Sequence, residues 1–418
     1  MQAIILCGGK GSRFKSISKN PKILAKFGKK NLLDLILNQF KFNKINKPPI
    51  FLLGNQSYEI LNYLKSNKIK FKYFVEKKLQ GTAGSLTNLK VKNELLLIIM
   101  GDLLFNVDLK KFVSFHKKNK GDISFFTHPN NHPADSDLIK VDENNKVKKI
   151  YFKNRKKNYV TKNLVMSGIY LINSNLINLI KKNSKSDLTR NFINDCLKKG
   201  KKILSYNSRE YTKDIGTKKR YYEALKDFNS GIFKKKNNKC IFLDRDGVMN
   251  YEAKNFRYSN PTKLYPTTIE AIRKINDSEY LVIIITNQPA IAKGFISQEN
   301  VNKSHDRLET ILGKNGVYLD DIYHCPHHPH KGFKGEVKRL KIKCKCRKPN
   351  SEMINEAIKK YNINRKDSIF IGNSLNDHLA AKNADIRSII VNNEQLSKKL
   401  KKKSYNNLLE AVNNFLKK

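Results

Sequence analysis

A short apolar stretch that ends in two carboxylates constrains the fold of this chain more than any other sequence feature. Ile241 to Leu243 are bounded by turn residues, which is typical of a buried parallel strand. Asp244, Asp246 and Gly247 follow at once, and ligands of open α/β sheets bind beyond the carboxyl ends of strands. Two crowded carboxylates repel each other unless a cation lies between them, and hard oxygen ligands suit Mg²⁺. The stretch therefore predicts a magnesium site at a strand end; the alternative is a strand that ends in a solvated acidic turn.

Three later segments complete a pattern around this strand. One apolar run ends in Thr286, Lys348 stands in a Cys-Arg-Lys-Pro sequence, and another apolar run leads into Gly372. In this order, the four pieces resemble the motifs of haloacid-dehalogenase-type phosphatases. Three stretches resemble more narrowly the D-glycero-D-manno-heptose 1,7-bisphosphate 7-phosphatases, whose nearest relatives are the histidinol-phosphate phosphatases: Thr286-Asn287-Gln288, Cys325-Pro326-His327-His328-Pro329 and Cys344-Lys345-Cys346-Arg347-Lys348-Pro349.

The resemblance implies a role for each motif residue. Asp244 is expected to be the nucleophile, forming an aspartyl-phosphate that water later hydrolyses. Asp246 is expected to protonate the leaving sugar oxygen and then to activate the water. Thr286 and Asn287 are expected to bind phosphoryl oxygens, and Lys348 is expected to offset the charge on the nucleophile. Arg347 is expected to bind the substrate anion through two hydrogen bonds.

The expected magnesium ligands of this site include one departure from the family pattern. The set is Asp244, Asp246, Asn373 and Asp377, and relatives usually carry Asp at the position of Asn373. An amide oxygen can coordinate Mg²⁺, but it removes one negative charge from the site. Asp377 stands four residues further on, on the same helical face. Two outcomes stay open, weaker magnesium binding or compensation by Asp377, and we expect the phosphatase to be active.

Two close pairs of metal-binding side chains predict a zinc site. Cys325 and His327 form one pair, and Cys344 and Cys346 form the other. Structural Zn²⁺ favours such closed sets of thiolates and imidazoles, and its expected role is to clip the loop that carries Arg347 and Lys348. The alternatives are reduced, metal-free thiols, or His328 as a substitute ligand.

The N-terminus carries a glycine loop after a short apolar strand over residues 3–6. Glycines let the backbone approach a phosphate closely, and the exposed N–H groups then bind it. The loop contains Gly8, Gly9, Gly11, Ser12 and Arg13. With the later Pro21-Lys22, this set resembles the signature of sugar-1-phosphate nucleotidylyltransferases.

That second resemblance implies a transfer reaction at a second metal site. Gly81 and Thr82 fall in the loop expected to meet the base and sugar, and Asp102 and Asp214 are expected to bind Mg²⁺. A sugar 1-phosphate oxygen would attack the α-phosphorus of a nucleoside triphosphate and release pyrophosphate. Positioning and charge neutralisation carry such a reaction, and the expected catalytic cations are Arg13 and Lys22.

The two resemblances meet at a polar, basic stretch. We expect a sugar-nucleotidyltransferase domain over residues 1–229, a linker over 230–239, and a haloacid-dehalogenase-like phosphatase domain over 240–418 with a basic C-terminal helix. The expected fold class is α/β. It comprises two Rossmann-like parallel-sheet domains, an N-terminal nucleotidyltransferase-like domain and a C-terminal haloacid-dehalogenase-like domain with a zinc loop.

The formal net charge of +47 raises the question of a nucleic-acid partner. Lys and Asn are spread through nearly every segment, without a zinc finger, a helix-turn-helix or an aromatic-basic stripe, so we expect no specific nucleic acid. No run of about 18 apolar residues indicates a membrane helix, and the N-terminus lacks signal-peptide features. The expectation is a cytoplasmic protein whose partners are sugar phosphates and a nucleoside triphosphate, with no membrane partner.

Together, the resemblances imply two consecutive steps of nucleotide-activated heptose synthesis. The phosphatase would produce heptose 1-phosphate, and the nucleotidylyltransferase would activate it with GTP to GDP-D-glycero-α-D-manno-heptose. Three rivals stay open: a protein in which only one domain is active, a nucleic-acid-binding protein built on enzyme domains, and a histidinol-phosphate phosphatase.

Overall fold

We describe the protein from a computed structural model. The described residues are 1–9, 14, 18, 20–54, 56–91, 93–153, 159–182, 184–235, 237–252 and 263–417. Three of the predicted site residues, Gly11, Ser12 and Arg13, lie outside these ranges.

The chain divides into two compact units. The first comprises Met1–His128, Ile139–Phe152 and Met166–Lys235, and the second comprises Pro129–Leu138, Lys153–Val165 and Lys236–Lys418. The two short early segments therefore belong with the second unit, which the sequence did not reveal. Part of the physical reason is that the backbone N–H of Asn163 donates to Oε2 of buried Glu309 at 2.7 Å.

The elements up to residue 229 include both strands and α-helices, and several strands follow one another directly. The strands are β1 (Gln2–Cys7), β2 (Lys26–Phe27), β3 (Lys30–Asn31), β4 (Ile50–Leu53), β5 (Lys72–Val75), β6 (Leu95–Met100), β7 (Leu103–Asn106), β8 (Ile123–His128), β9 (Leu138–Val141), β10 (Val147–Tyr151), β11 (Val165–Asn173), β12 (Ile203–Asn207) and β13 (Tyr211–Asp214). The α-helices are α1 (Leu32–Phe42), α2 (Ser57–Ser66), α3 (Gly81–Gly84), α4 (Leu109–Lys118), α5 (Asn194–Lys198) and α6 (Lys218–Asn229).

A nine-stranded mixed sheet positions the site of the first unit. Its path is β10-β9-β11-β6-β1-β4-β5, and β8 pairs with both β11 and β12. β1 runs parallel to β4 and β6, while β11 runs antiparallel to β6. The central strands β1 and β6 are buried apolar runs, as expected for parallel strands covered on both faces. The residues that follow these parallel strands therefore gather at one edge of the sheet.

The second unit is built on a fully parallel sheet. Its strands are β14 (Lys239–Leu243), β15 (Tyr280–Asn287), β16 (Asp321–Cys325), β17 (Ile369–Gly372), β18 (Arg387–Val391) and β19 (Ser404–Tyr405), in the order β16-β15-β14-β17-β18-β19. Its helices are α7 (Thr268–Asn276), α8 (Gln298–Lys314), α9 (Glu352–Tyr361), α10 (Leu375–Asn383), α11 (Glu394–Leu400) and α12 (Leu408–Leu416).

Side chains of the parallel sheet alternate between two cores. Ile241 and Leu243 of β14 pack in one cluster with residues of α7, α8 and α12, whereas Phe242 packs in a second cluster with residues of α9 and α10. This alternation follows from the two-residue period of a strand. Helices on both faces make the unit doubly wound, so the predicted α/β fold class with parallel sheets is confirmed. Among the described residues, no helix is long and apolar enough to cross a membrane.

Candidate active sites

A cavity of about 680 Å³ lies at the carboxyl ends of β14, β15 and β17 in the second unit. Each of these strands delivers a predicted site residue to it, because parallel strands end at the same edge of the sheet. The predicted residues that line the cavity are Asp244, Asp246, Thr286, Asn287, Arg347, Lys348 and Asn373.

Lys348 connects the first and the last acidic motifs of this cavity. Its Nζ lies 2.8 Å from Oδ1 of Asp244 and 2.6 Å from Oδ1 of Asp377. Burial raises the pKa of Asp244 to about 7; the charge of Lys348 opposes this shift, and the charge of Asp377 adds to it. Burial favours the neutral amine of Lys348, but the two carboxylates outweigh it and raise the pKa of Lys348. A buried cation is therefore fixed beside the predicted nucleophile.

Asp246 is held by hydrogen bonds from three side chains. Arg245 donates from Nη2 to Oδ2 at 2.9 Å, Asn250 donates to Oδ1 at 2.8 Å, and Gln288 donates to Oδ2 at 2.8 Å. Burial works against the charged form, but Arg245 and these hydrogen bonds hold the pKa of Asp246 below its usual range. Asp246 is thus a carboxylate of fixed orientation at the cavity.

Thr286 and Asn287 are the last two residues of β15, and both already have hydrogen-bond partners in the protein. The hydroxyl of Thr286 accepts a hydrogen bond from Nε2 of Gln288 at 3.0 Å. The amide of Asn287 binds the backbone of Lys348 twice, donating to its carbonyl oxygen at 3.1 Å and accepting from its N–H at 3.0 Å. Asn287 therefore fixes Lys348, and its contact with phosphoryl oxygens stays a prediction.

Asn373 follows β17 and lies against Gly247. A Cβ built on residue 247 would lie 2.1 Å from Nδ2 of Asn373, and Gly247 has a φ of +78°, so both space and backbone require glycine there. The neighbouring Asp377 has both carboxylate oxygens engaged: Oδ1 by Lys348, and Oδ2 by the N–H of Asn373 and the N–H and hydroxyl of Ser374. Magnesium ligation by Asp377 would require these contacts to change, and it stays a prediction.

Four side chains of the second unit form a compact cluster of metal-binding atoms. Sγ of Cys346 lies 3.2 Å from Sγ of Cys325, 3.3 Å from Sγ of Cys344 and 3.2 Å from Nδ1 of His327, and the four ligand atoms lie within 4.8 Å of one another. Tetrahedral Zn²⁺ with bonds of about 2.0–2.3 Å needs ligand atoms about 3.3–3.8 Å apart. The cluster fits such a site, and Arg347 Nη1 donates to the backbone oxygen of His327 at 3.3 Å, which ties the cluster to the cavity.

A second cavity, of about 610 Å³, lies in the first unit beyond the carboxyl ends of β1 and β6. The cavity is lined both by residues that the sequence analysis predicted as site residues and by others that it did not predict. The predicted ones are Gly8, Gly9, Lys22, Gly81, Thr82 and Asp102, and others include Glu76 and Lys185.

The fold brings Asp102 and Asp214 together, as the sequence-based expectation of a shared metal requires. Antiparallel pairing of β7 and β13 places Asp214 beside Leu103. Oδ1 of Asp214 and Oδ2 of Asp102 lie 2.9 Å and 3.9 Å from a Cβ built on Gly216. Lys22 Nζ is 3.4 Å from Oδ2 of Asp102, and Arg220 Nη1 binds both oxygens of Asp214 at 2.9 and 3.0 Å.

The short helix α3, which begins with Gly81 and Thr82, is hydrogen-bonded to a segment that begins at Ser186. Gly81 has a φ of +79°, and a Cβ there would lie 2.5 Å from the backbone oxygen of Ser186, so this approach requires glycine. The hydroxyl of Thr82 accepts from the N–H of Leu188 at 2.8 Å and lies 3.3 Å from Oδ2 of Asp187. Nucleotide binding by both residues stays a prediction, with Gly81 and Thr82 in place at the cavity wall.

Comparison with protein families assigns both halves of the chain. The nucleotidyl transferase family matches residues 2–231, and the haloacid dehalogenase-like hydrolases match residues 160–385. The chain belongs to both families. It is an enzyme that combines a nucleotidyltransferase with a phosphatase, and both predicted resemblances and the predicted enzyme class are confirmed.

Curated relatives narrow the phosphatase family. The D-glycero-alpha-D-manno-heptose-1,7-bisphosphate 7-phosphatase of Photorhabdus laumondii is 40% identical, over 35% of this chain and 79% of its own length. The D-glycero-beta-D-manno-heptose-1,7-bisphosphate 7-phosphatase of Pasteurella multocida is 34% identical, over 42% of this chain and 92% of its own length. The solved structure of HddC from Yersinia pseudotuberculosis is 21% identical with a TM-score of 0.46, and covers 54% of this chain and 99% of that chain.

Several residues of the phosphatase and nucleotidyltransferase sites were missed from the sequence. Arg245, Asn250 and Gln288 all bind Asp246, but each stands within or beside a motif and shows its partner only in three dimensions. Glu76 and Lys185 line the nucleotidyltransferase cavity, and no local pattern marks either of them. Gln288 was the easiest of these to predict from the sequence, since it directly follows Thr286-Asn287.

Proposed function

We propose that the protein catalyses two consecutive reactions of heptose activation. The phosphatase unit removes the 7-phosphate of D-glycero-D-manno-heptose 1,7-bisphosphate, and the nucleotidyltransferase unit transfers GMP from GTP to the resulting heptose 1-phosphate. The single observation that supports this most is the union of a nucleotidyltransferase with a unit that is 40% identical to a heptose bisphosphate phosphatase. The product of the second reaction would be a GDP-heptose. The α-anomer is the proposed substrate, although relatives named for either anomer match the chain.

In the proposed hydrolysis, a carboxylate oxygen of Asp244 bonds to the phosphorus while the bond from phosphorus to the sugar oxygen breaks. Asp246 takes up a proton once the anionic substrate lies beside it, gives that proton to the leaving oxygen, and later takes a proton from the water that releases phosphate from Asp244. Lys348, whose Nζ lies 2.8 Å from Oδ1 of Asp244, offsets the negative charge of both Asp244 and the phosphoryl group. Asp246 is oriented for both proton transfers by Arg245 and Gln288.

Asp244, Asp246 and Asn373 would hold Mg²⁺ at this cavity, and the bound ion would supply positive charge that offsets the phosphoryl group and the nucleophile. The donor set fits a hard cation, because these residues all carry side-chain oxygen atoms and all line the same cavity. The Cys₃His cluster is proposed to hold a structural Zn²⁺. Burial raises the pKa of the Cys325 thiol to about 11, and a bound metal cation favours the thiolate form.

In the proposed nucleotidyl transfer, the protein's own groups mainly position and neutralise. An oxygen of the sugar 1-phosphate bonds to the α-phosphorus of GTP as the bond to pyrophosphate breaks. Lys22 would bind phosphate oxygens at the cavity, and Asp102 and Asp214 would hold Mg²⁺, since the fold already places them together. Arg13, Gly11 and Ser12 are proposed for the triphosphate from their motif alone.

The remaining parts of the proposal concern setting and partners. We propose sugar phosphates and GTP as partners, no specific nucleic acid, and a cytosolic location. All six cysteines are free, which is consistent with a reducing compartment.

The proposal is tested by supplying candidate substrates to the whole protein. Heptose 1,7-bisphosphate and histidinol phosphate are compared for release of phosphate, and heptose 1-phosphate is supplied with each of the four common nucleoside triphosphates. We expect phosphate release from the heptose bisphosphate and nucleotide-heptose formation from GTP. Preference for histidinol phosphate, or nucleotidyl transfer only to another sugar 1-phosphate, would overturn the substrate assignment.

A further inference from the structure

His305 is a buried polar side chain on the inward face of α8. Val301 precedes it by four residues and Leu308 follows it by three, and all three side chains are buried, as expected for a helix that packs one face against a sheet. A buried imidazole needs a hydrogen-bond partner. Its partner is Arg245, because Nη1 of Arg245 lies 3.0 Å from Nε2 of His305. The proposed hydrolysis gives this histidine no role, although its partner holds Asp246.

The chemistry of the two groups fixes the direction of this hydrogen bond. A guanidinium group has donors only, so Nη1 of Arg245 donates and Nε2 of His305 accepts. Burial and the charge of Arg245 hold the pKa of His305 well below its usual range, so the ring is neutral and carries its proton on Nδ1. His305 is therefore an uncharged acceptor at the end of the Arg245 side chain.

Arg245 joins this acceptor to the two carboxylates of the phosphatase cavity. Its Nε and Nη2 donate to Oδ1 and Oδ2 of Asp246 at 3.2 and 2.9 Å, and its backbone N–H donates to Oδ1 of Asp244 at 2.7 Å. The guanidinium group is planar and rigid. Holding Nη1 at His305 therefore fixes the direction in which Nε and Nη2 point toward Asp246.

The burial of Arg245 makes this acceptor important. Only 4% of Arg245 and 8% of His305 is exposed, so water does not readily replace a lost partner. Without His305, Nη1 would be left unsatisfied, and the guanidinium group would be drawn toward another acceptor. Because Nε and Nη2 belong to the same rigid plane, Asp246 would then lose the orientation that proton transfer requires.

We infer that His305 is a positioning residue of the phosphatase site, which acts through Arg245 to hold Asp246 toward the leaving oxygen. The inference rests on the proposed hydrolysis, in which Asp246 transfers both protons, but it does not depend on the identity of the sugar. The alternative is that His305 serves only to pack α8 against the sheet. A packing role would lower the stability of the unit without selecting one chemical step, whereas a positioning role would affect the steps that move a proton.

The test compares two phosphate esters that differ in their need for a proton. The alkoxide that leaves heptose 1,7-bisphosphate must be protonated, whereas p-nitrophenyl phosphate releases a stable phenolate without help from an acid. With the whole protein in excess over the ester, the first turnover measures transfer of the phosphoryl group to Asp244. His305→Leu should slow transfer from the bisphosphate by about 10- to 100-fold, and transfer from p-nitrophenyl phosphate by less than about twofold.

Two further variants separate the acceptor from the volume of the side chain. The Oε1 of glutamine can take the place of Nε2, so His305→Gln should restore transfer from the bisphosphate to within about threefold of the unaltered protein. The side chain of His305→Asn ends one bond earlier, and this variant should behave like His305→Leu.

His378→Leu is the matched control for the loss of an imidazole. His378 lies in α10 of the same unit, with its Nδ1 2.6 Å from Oγ of Ser388, and it does not line the phosphatase cavity. The control should leave transfer from both esters unchanged.

Several outcomes would overturn the inference. Equal slowing of both esters, or equal slowing by His305→Leu and His305→Gln, would assign His305 to packing. Unchanged transfer from the bisphosphate in a folded His305→Leu would show that Asp246 does not depend on His305. If His305→Leu fails to fold, the comparison of His305→Asn with His305→Gln decides in the same way. If histidinol phosphate is cleaved and the bisphosphate is not, the proposed substrate fails, and the inference is decided on histidinol phosphate, which also releases an alkoxide.

Discussion

Lys348 and Asp377 form a buried ion pair, with 2.6 Å between Nζ and Oδ1 and only 2% of each side chain exposed. The same ammonium group lies 2.8 Å from Asp244. Asp377 therefore influences the predicted nucleophile Asp244 indirectly, because both carboxylates bind the same ammonium group of Lys348. We therefore regard Asp377 as a positioning residue whose principal partner in the structure is Lys348.

Replacing Asp377 should impair both stability and hydrolysis. Asp377→Asn leaves Lys348 buried with one partner fewer, and breaking a buried pair costs about 3–5 kcal/mol. We expect a lower free energy of unfolding and phosphate release reduced by at least about tenfold, measured by denaturant unfolding and a phosphate assay. Asp385→Asn, at an exposed position of the same unit, is the control. Wild-type stability and turnover in Asp377→Asn would contradict the positioning role.

Asn373 should make magnesium binding weaker without abolishing activity. An amide oxygen carries no charge, so Asn373→Asp adds one negative charge to the site and should lower the Mg²⁺ concentration that gives half-maximal phosphate release. The maximal rate should change little, because the unaltered enzyme is expected to be active already. A magnesium titration of both proteins measures this. Rescue of an inactive protein by Asn373→Asp would refute the account of Asn373.

Loss of the Cys₃His cluster should lower phosphatase activity, because it should disturb the position of Arg347. Cys344→Ser removes one of four ligands, and Arg347 is hydrogen-bonded to the backbone of His327 within the cluster. We expect bound zinc to fall below one equivalent per chain and phosphate release to fall with it, measured by elemental analysis and activity on the same samples. Cys196→Ser, outside the cluster in the nucleotidyltransferase unit, is the control for cysteine substitution. A zinc-free variant with full phosphatase activity would show that the cluster does not support Arg347.

Glu309 should make stability depend on pH between its unfolded and folded pKa values. Burial raises the pKa of Glu309 to about 7 from its model-peptide value of 4.5, while Lys162 and the N–H of Asn163 oppose the shift. The folded protein then binds the proton more tightly, so the stabilisation is complete below pH 4.5 and is lost as pH rises through 7. Glu309→Gln should flatten this part of the stability curve relative to the unaltered protein, as followed by urea unfolding at several pH values. Glu356→Gln, at an exposed position, should retain the slope, and an unchanged slope in Glu309→Gln would exclude the assignment.

The sequence predicted the strand ends well because each is marked locally. An apolar run followed by Asp244, by Thr286 or by Gly372 identifies both a parallel strand and its functional end. The parallel sheet then brings these ends together without further information. The pairing of Asp102 with Asp214 was also anticipated, through the resemblance to a family.

The hydrogen-bond and ion-pair partners of the site residues could not be predicted from the sequence. Asn287 binds the backbone of Lys348, and Asp377 binds its ammonium group, because loops distant in the chain meet at the sheet edge. Glu76 was missed for a different reason. It follows β5, whose residues are all exposed, and one glutamate after such a strand carries no signal until the cavity is seen.

The most direct test of the two-step account follows both products from one reaction mixture. Heptose 1,7-bisphosphate, GTP and Mg²⁺ are given to the unaltered protein, Asp244→Asn and Lys22→Ala, and phosphate, pyrophosphate and nucleotide-heptose are quantified. The account predicts equal amounts of phosphate and nucleotide-heptose from the unaltered protein. It predicts neither product from Asp244→Asn, to which added heptose 1-phosphate restores nucleotide-heptose without phosphate, and it predicts phosphate alone from Lys22→Ala. Nucleotide-heptose from Asp244→Asn without added heptose 1-phosphate, or phosphate without nucleotide-heptose from the unaltered protein, would contradict it.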